Sequence, residues 1–170
     1  MSRLVADTSG LVSLGIAASD DPDPLSICVN RYEVVVPARV VEELRETASY
    51  DDAHGRAAAA VLDRTESIST RSVVLDADFP LDDGENAAVA LANDLDAALL
   101  LCDEFNRLGL IHASLADTRL VTTPTLLSAL VRADALSVDD ATAVLDAIGD
   151  ARSWDANSYV KRARSLLDRR

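Results

Sequence analysis

Five carboxylates stand where the chain could do chemistry. Asp7 closes the apolar run RLVA, and Glu43 sits inside ARVVEELRETA. Glu85 opens ENAAVALA, Asp103 follows AALLLC, and Glu104 comes next. Apolar runs of this kind read as buried parallel strands, and the alanine-rich stretch reads as a helix. In an open parallel sheet, ligands bind beyond the carboxyl ends of the strands. Asp7, Glu43, Glu85 and Asp103 all fall at or near such ends. Four carboxylates converging in one cleft repel one another unless a cation neutralises them. Donors that are all oxygen, with no His or Cys, point to Mg²⁺ or Mn²⁺. Such a centre takes one metal, or two roughly 4 Å apart. The chemistry it supports is phosphodiester hydrolysis, with Glu104 assisting through water.

Each acid also has a local reading. Asp7 can cap a following helix. Asp82 and Glu85 form a D-x-x-E capping box. Glu43 shares its stretch with Glu42, Arg45 and Glu46, as a solvated helix face would. Asp103 can cap the helix after it. Position at one end of one sheet is what favours the metal reading.

The elements that must position these acids alternate. Strands are expected at Arg3 to Ala6, Glu33 to Pro37, Ala97 to Cys102 and Arg119 to Thr122, with a weaker one at Ser72 to Asp76. Helices are expected at Thr8 to Ala18, Leu25 to Tyr32, Ala38 to Ala48, Asp51 to Ser67 with Asp51 as cap, and through NAAVALA. Further helices are expected at Glu104 to Ser114, Pro124 to Ala133, Ser137 to Ala147 and Asp155 to Leu167. Strands alternating with helices imply an α/β fold, a three-layer α/β/α sandwich around a short, mostly parallel sheet. Residues 1–133 are expected to form the main domain, and 134–170 a helical extension packed on it.

Composition narrows the partners. The chain has 170 residues, 49% of them apolar, enough for one sizeable core. No apolar run is long enough to span a membrane, and the strand-like pattern begins too early for a signal peptide. A cytoplasmic protein is expected. Cys28 and Cys102 lie in apolar surroundings and read as core residues, and His54 and His112 are too isolated for a zinc site. Acids outnumber bases 29 to 16, for a net charge of −13, and Lys161 is the sole lysine. That bias suits molar salt, where a Debye length near ~3 Å screens self-repulsion. A halophilic source is therefore expected, against the rival of an acidic protein from a GC-rich genome.

The segments VADTSGLVSL, VPARVVEEL, LDDGENAAVALA and LLLCDEFNR, in this order and at these intervals, resemble the PIN-domain ribonucleases. The likeness is closest to the prokaryotic, VapC-toxin-like branch, whose third motif is a Gly-Glu pair opening an alanine-rich helix. It covers about Leu4 to Ala133. The resemblance implies a metal-dependent endoribonuclease leaving 5′ phosphates. Asp7, Glu43, Glu85 and Asp103 match the family's four acids, Ser9 a nearby polar residue, and Arg107 a basic residue after the last acid. Many members are toxins held by an antitoxin protein, and many are homodimers, so RNA, an antitoxin and a second copy are the partners implied. Two positions depart from the pattern. Glu104 stands where the branch often has a second Asp, and Thr122, Thr123 and Pro124 stand where a Gly-Thr pair is expected.

Positive charge for RNA comes from the cation and from arginines. Arg39 and Arg45 flank Glu43, and Lys161, Arg162, Arg164, Arg169 and Arg170 crowd the last ten residues. That basic tail can touch phosphate or simply favour a helix C-terminus. Trp154 and Tyr159 read as packing residues. The apolar faces of Leu126 to Leu130 and Val160 to Leu167 suit either the core or a protein partner. Two rivals remain: a catalytically silent PIN-like protein- or RNA-binding subunit, and a metal-dependent phosphatase, which the absence of an Asp two residues after Asp7 disfavours.

Overall fold

The computed structural model describes residues 1–169. Five short parallel strands form one sheet: β1 (Arg3–Ala6), β2 (Glu33–Pro37), β3 (Ser69–Arg71), β4 (Leu99–Leu101) and β5 (Arg119–Val121). Their spatial order is β3-β2-β1-β4-β5. The chain starts in the middle, works outward through β2 and β3, then returns to the other side of β1. Side chains of a strand alternate between faces, and here the alternation builds two cores. Leu4, Ala6, Val34, Val36 and Leu101 face one way, while Val5, Val35, Leu100 and Cys102 face the other.

Helices cover both faces. Against the first core pack α1 (Thr8–Ile16), α2 (Pro24–Arg31), α3 (Ala38–Ala48) and α4 (Ala53–Leu62). Against the second pack α5 (Asp83–Asp94) and α6 (Leu108–Ser114). Then α7 (Thr123–Arg132), α8 (Val138–Arg152) and α9 (Ser158–Asp168) return to the first. The fold is the expected three-layer α/β/α sandwich. Among the described residues, no helix is long and apolar enough to cross a membrane.

Several boundaries differ from expectation. The third strand lies at Ser69–Arg71, not at Ser72 to Asp76. Its last residue pairs with Pro37, where β2 ends and α3 begins, so SVVLD has no strand left to pair with. Val74 and Leu75 are exposed there. Asp52, not Asp51, caps α4 by accepting from the Gly55 N–H. That helix stops at Leu62, and Thr65–Ser67 forms a separate 3₁₀ turn. Helix α6 begins at Leu108, because residues 103–107 are taken up by a tight turn in which the Phe105 and Arg107 N–H groups donate to the Asp103 and Glu104 carbonyls. Cys28 and Cys102 are free, buried core thiols. Leu126, Leu127, Leu130, Val160 and Leu167 are spent on the core, so those faces are packed within the chain.

Candidate active site

The geometry begins at the sheet's turning point. β1 and β4 are paired neighbours, Ala6 opposite Leu101, and the strand order reverses around them. Asp7 follows directly on one, and Asp103 lies two residues beyond the other. Both are buried, each 5% exposed. This is the crevice where open α/β sheets bind ligands.

Ser9 joins the two acids. Its Oγ donates to Asp7 Oδ1 at 2.8 Å and accepts from the Asp103 N–H at 2.9 Å. Asp7 also caps α1, since the same Oδ1 accepts from the Gly10 N–H. The capping role and a site role therefore coexist in one residue. Asp103 does not cap the helix after it. Its carboxylate is held by Thr123, whose N–H donates to Oδ1 at 2.7 Å and whose hydroxyl donates to Oδ2 at 2.6 Å. Burial pushes the Asp7 carboxyl up to about 7, opposed by the Gly10 N–H and by Ser9, with the nearby Asp103 charge adding to the rise. Burial also raises Asp103, against the pull of Ser13, Thr123 and the Arg152 charge.

Arg152 was not visible as a site residue in the sequence. It closes α8, far along the chain, yet its guanidinium donates to the Ser9 carbonyl at 3.0 Å and the Ser13 hydroxyl at 3.1 Å. It lies 5.7 Å from the centre of the buried Trp154 ring. Positive charge thus backs the acid pair from beneath α1. Thr123 stood out in the sequence only as part of the Thr122-Thr123-Pro124 departure from an expected Gly-Thr pair; that it holds Asp103 shows once β5 is placed beside β4.

The other two acids sit differently. Glu43 is half-buried on α3. It accepts from the Thr8 hydroxyl at 2.5 Å and pairs loosely with Arg39 at 3.7 Å. Its carboxylate abuts Gly84, where a Cβ would overlap it. The missing side chain lets the positive N-terminal end of α5 lie directly against the acid. Burial raises Glu43, and the Asp82 charge adds to the rise, against the Thr8 bond and Arg39. Glu85 is 7% exposed, and both its oxygens take the Arg107 Nε–H, at 3.2 and 3.1 Å. Arg107 also donates to the Pro80 carbonyl. Asp82 caps α5 through the Glu85 N–H, but the Glu85 side chain turns to Arg107 rather than completing the box. Burial and Asp82 raise Glu85 to about 7 against the pull of Arg107. Glu104 is exposed and bonds none of the acids through its side chain among the described residues.

The donors suit a hard divalent cation in type: all are carboxylate oxygens, and burial raises the cost of their charged forms. They are not gathered as a finished cage. Among the described residues, no group of three or more His, Cys, Asp or Glu is placed to hold a metal ion. Asp7 and Asp103 form one half, and Glu43 and Glu85, engaged by Thr8, Arg39 and Arg107, form the other.

The family model DUF3368, described as a PIN domain, matches residues 3–169. No curated protein matches the chain.

Proposed function

We propose, from a chain that belongs to the PIN-domain family, that the protein is a Mg²⁺- or Mn²⁺-dependent endoribonuclease. The observation that carries the reading is the buried Asp7–Asp103 pair at the strand-order reversal, bridged by Ser9. Two carboxylates desolvated side by side repel each other, and a cation relieves that repulsion. Asp7 and Asp103 would hold the cation, with Glu85 and Glu43 nearby and Glu104 acting through water. When bound, the cation supplies a water of lowered pKa and charge for the phosphate oxygens. Ser9 and Thr123 fix the two carboxylates, and no side chain acts as nucleophile. Arg107 is within reach to exchange Glu85 for an RNA phosphate.

A second reading, a silent PIN-like binding subunit, is favoured by one observation: Arg107 occupies both Glu85 oxygens. Activity then requires that contact to open. The finer proposals are that the protein is the toxin of a toxin–antitoxin pair, works as a homodimer, and comes from a halophile with a cytoplasmic setting.

The test is cleavage of a labelled structured RNA in low and in molar KCl, with Mn²⁺, Mg²⁺ or EDTA. Asp7→Asn and Asp103→Asn are run beside the unaltered chain. Cation-dependent cutting lost in both variants is expected. Cutting that survives both substitutions would overturn the reading, and Mn²⁺ binding with no cutting would favour the silent subunit.

A further inference from the structure

A cavity of about 310 Å³ opens at the β5 edge of the sheet, between α6, β5 and the first turns of α7 and α9. It lies within the range of small-ligand pockets. Its connection to the site is covalent and short. Thr122 lines it, and the next residue, Thr123, holds the Asp103 carboxylate. Leu108, on the opposite wall, opens the helix that follows the Asp103 loop.

The lining is of two kinds. Leu108 and Leu120 give it an apolar body. Around them stand Tyr159, His112 and Thr125. Tyr159 stacks on Phe105 with ring centres 5.4 Å apart and planes 18° from parallel. Phe105 in turn meets Trp154 edge-on, at 5.2 Å. The ring is therefore anchored on its inner side while the residue stays 41% exposed. Thr125 Oγ1 accepts from the Thr122 hydroxyl, which leaves its own proton undirected. Among the described residues, the His112 ring and the Tyr159 hydroxyl also have no hydrogen-bond partner in the protein.

We infer that this cavity is a nucleobase subsite, taking one unpaired base of the RNA next to the phosphate at the acid pair. The inference rests on the nuclease reading of that pair, and it adds where substrate selectivity comes from. An unpaired base offers a flat apolar face and a polar edge, and proteins hold it by stacking on an aromatic ring and bonding the edge. Tyr159 supplies the ring. Thr125, His112 and the Tyr159 hydroxyl supply donors and acceptors for the edge. The acidic surface makes this the economical way to hold RNA: stacking and edge bonds need no positive charge, and the chain has only 16 basic residues.

Gly109 gives a clean test. It lines the cavity, and a Cβ built there meets nothing within 4 Å, so a side chain at this position starts in open space and Gly109→Leu is the substitution to fill the cavity. Binding of four labelled homopolymer RNAs is measured by anisotropy in Ca²⁺ buffer, for the unaltered chain, Gly109→Leu and Tyr159→Ala. Thermal melts check that each variant folds, and cleavage sites on a mixed RNA are mapped in Mn²⁺. One homopolymer should bind preferentially. Both variants should lose that preference, with about tenfold weaker binding, as removal of one stacked base predicts. Asp7→Asn should keep the preference while losing cleavage. Unchanged preference in folded variants, or no homopolymer preference at all, overturns the subsite whether or not RNA is cut. A preference abolished by Gly109→Leu in a protein that never cuts RNA upholds the subsite and fails the nuclease reading instead.

Discussion

The two halves of the acid centre contain the same chemical groups and are built on opposite plans. Asp7 and Asp103 are buried at adjacent strand ends and are fixed by neutral donors: Ser9, Thr123 and the Gly10 N–H. Glu43 and Glu85 ride on helices and are engaged by arginines, Arg39 and Arg107, that are themselves partly exposed. Neutral donors orient a carboxylate and leave its charge available. An arginine orients it and also neutralises it, so it competes with any cation. The first half is preorganised, and Arg152 behind it bonds Ser9 and Ser13 rather than either carboxylate. The second is already satisfied and must exchange partners to take part. Arg39 and Glu43 are both partly exposed, so that pair contributes little and exchanges readily, whereas Glu85 is buried and releasing Arg107 from it is the costlier exchange.

Substitutions can break that contrast. The largest effect should come from Asp103→Asn, which should lower RNA cleavage by about 10³-fold, the scale of losing one electrostatic element of a catalytic centre. Glu85→Gln should lower it less. Equal losses in single-turnover cleavage would mean that the halves are not distinct.

Next in size is a pair of changes read together. Ser9→Ala removes the bridge between the two buried acids and should weaken Mn²⁺ binding roughly 10–100-fold, as loss of an orienting partner does. Arg107→Met frees Glu85 and should leave Mn²⁺ binding equal or stronger. Calorimetric titration of both variants tests this, and a loss with Arg107→Met as large as that with Ser9→Ala would sink the comparison.

The acids also set a pH dependence. Asp7 has an ordinary value of 3.8 and sits at about 7 in the folded chain. The folded state therefore holds this proton more tightly than the unfolded state. Its contribution is fully present below about pH 4 and is lost as pH rises through about 7, up to about 4 kcal/mol at the upper limit. In EDTA, the unaltered chain should melt lower at pH 8 than at pH 6. Asp7→Asn should flatten that slope and melt higher than the unaltered chain at pH 8, and Mn²⁺ should restore the unaltered chain. A steeper slope in Asp7→Asn would contradict the burial argument.

The smallest expected effect is Gly84→Ala. The new Cβ overlaps the Glu43 carboxylate, which must swing aside with its Thr8 bond. The atoms met are the free end of a flexible, partly exposed side chain, so a loss of about 1 kcal/mol or less is expected, the strained Thr8 bond being offset by alanine's better helix propensity. Urea unfolding measures it, and an unchanged midpoint would show the Glu43 half to be looser still.

Much of this was legible in the residues, and unevenly so. EVVVP and ARVVEELRETA have the bounds read from their patterns, because apolar runs and helical spacing are local signals. SVVLD misled, because β-branched composition cannot reveal that its neighbouring strand ends at Pro37. Asp7 and Asp103 were visible as strand-end acids. What joins them was not. Ser9 was visible as a polar neighbour, but its two hydrogen bonds, the Thr123 contacts to Asp103 and the place of Arg152 depend on which strands become neighbours and on where α8 returns. Tyr159 was readable as a packing residue and does pack, on Phe105, but its open side depends on the cavity that α6 and α7 leave beside it.

The central position of β1 has a consequence for how the protein is made. Synthesis delivers the middle strand first, but its partner Leu99 and the residues that seat the second acid, Thr123 and Arg152, emerge much later. Until then β1 is an apolar segment with an open edge, and the acid pair does not exist. The centre therefore depends on contacts between residues far apart in sequence, which form only after the second half of the sheet has been made. Chains released before Thr123 should carry Asp7 without its counterpart held in place, and a ribosome partway through the message carries no assembled site.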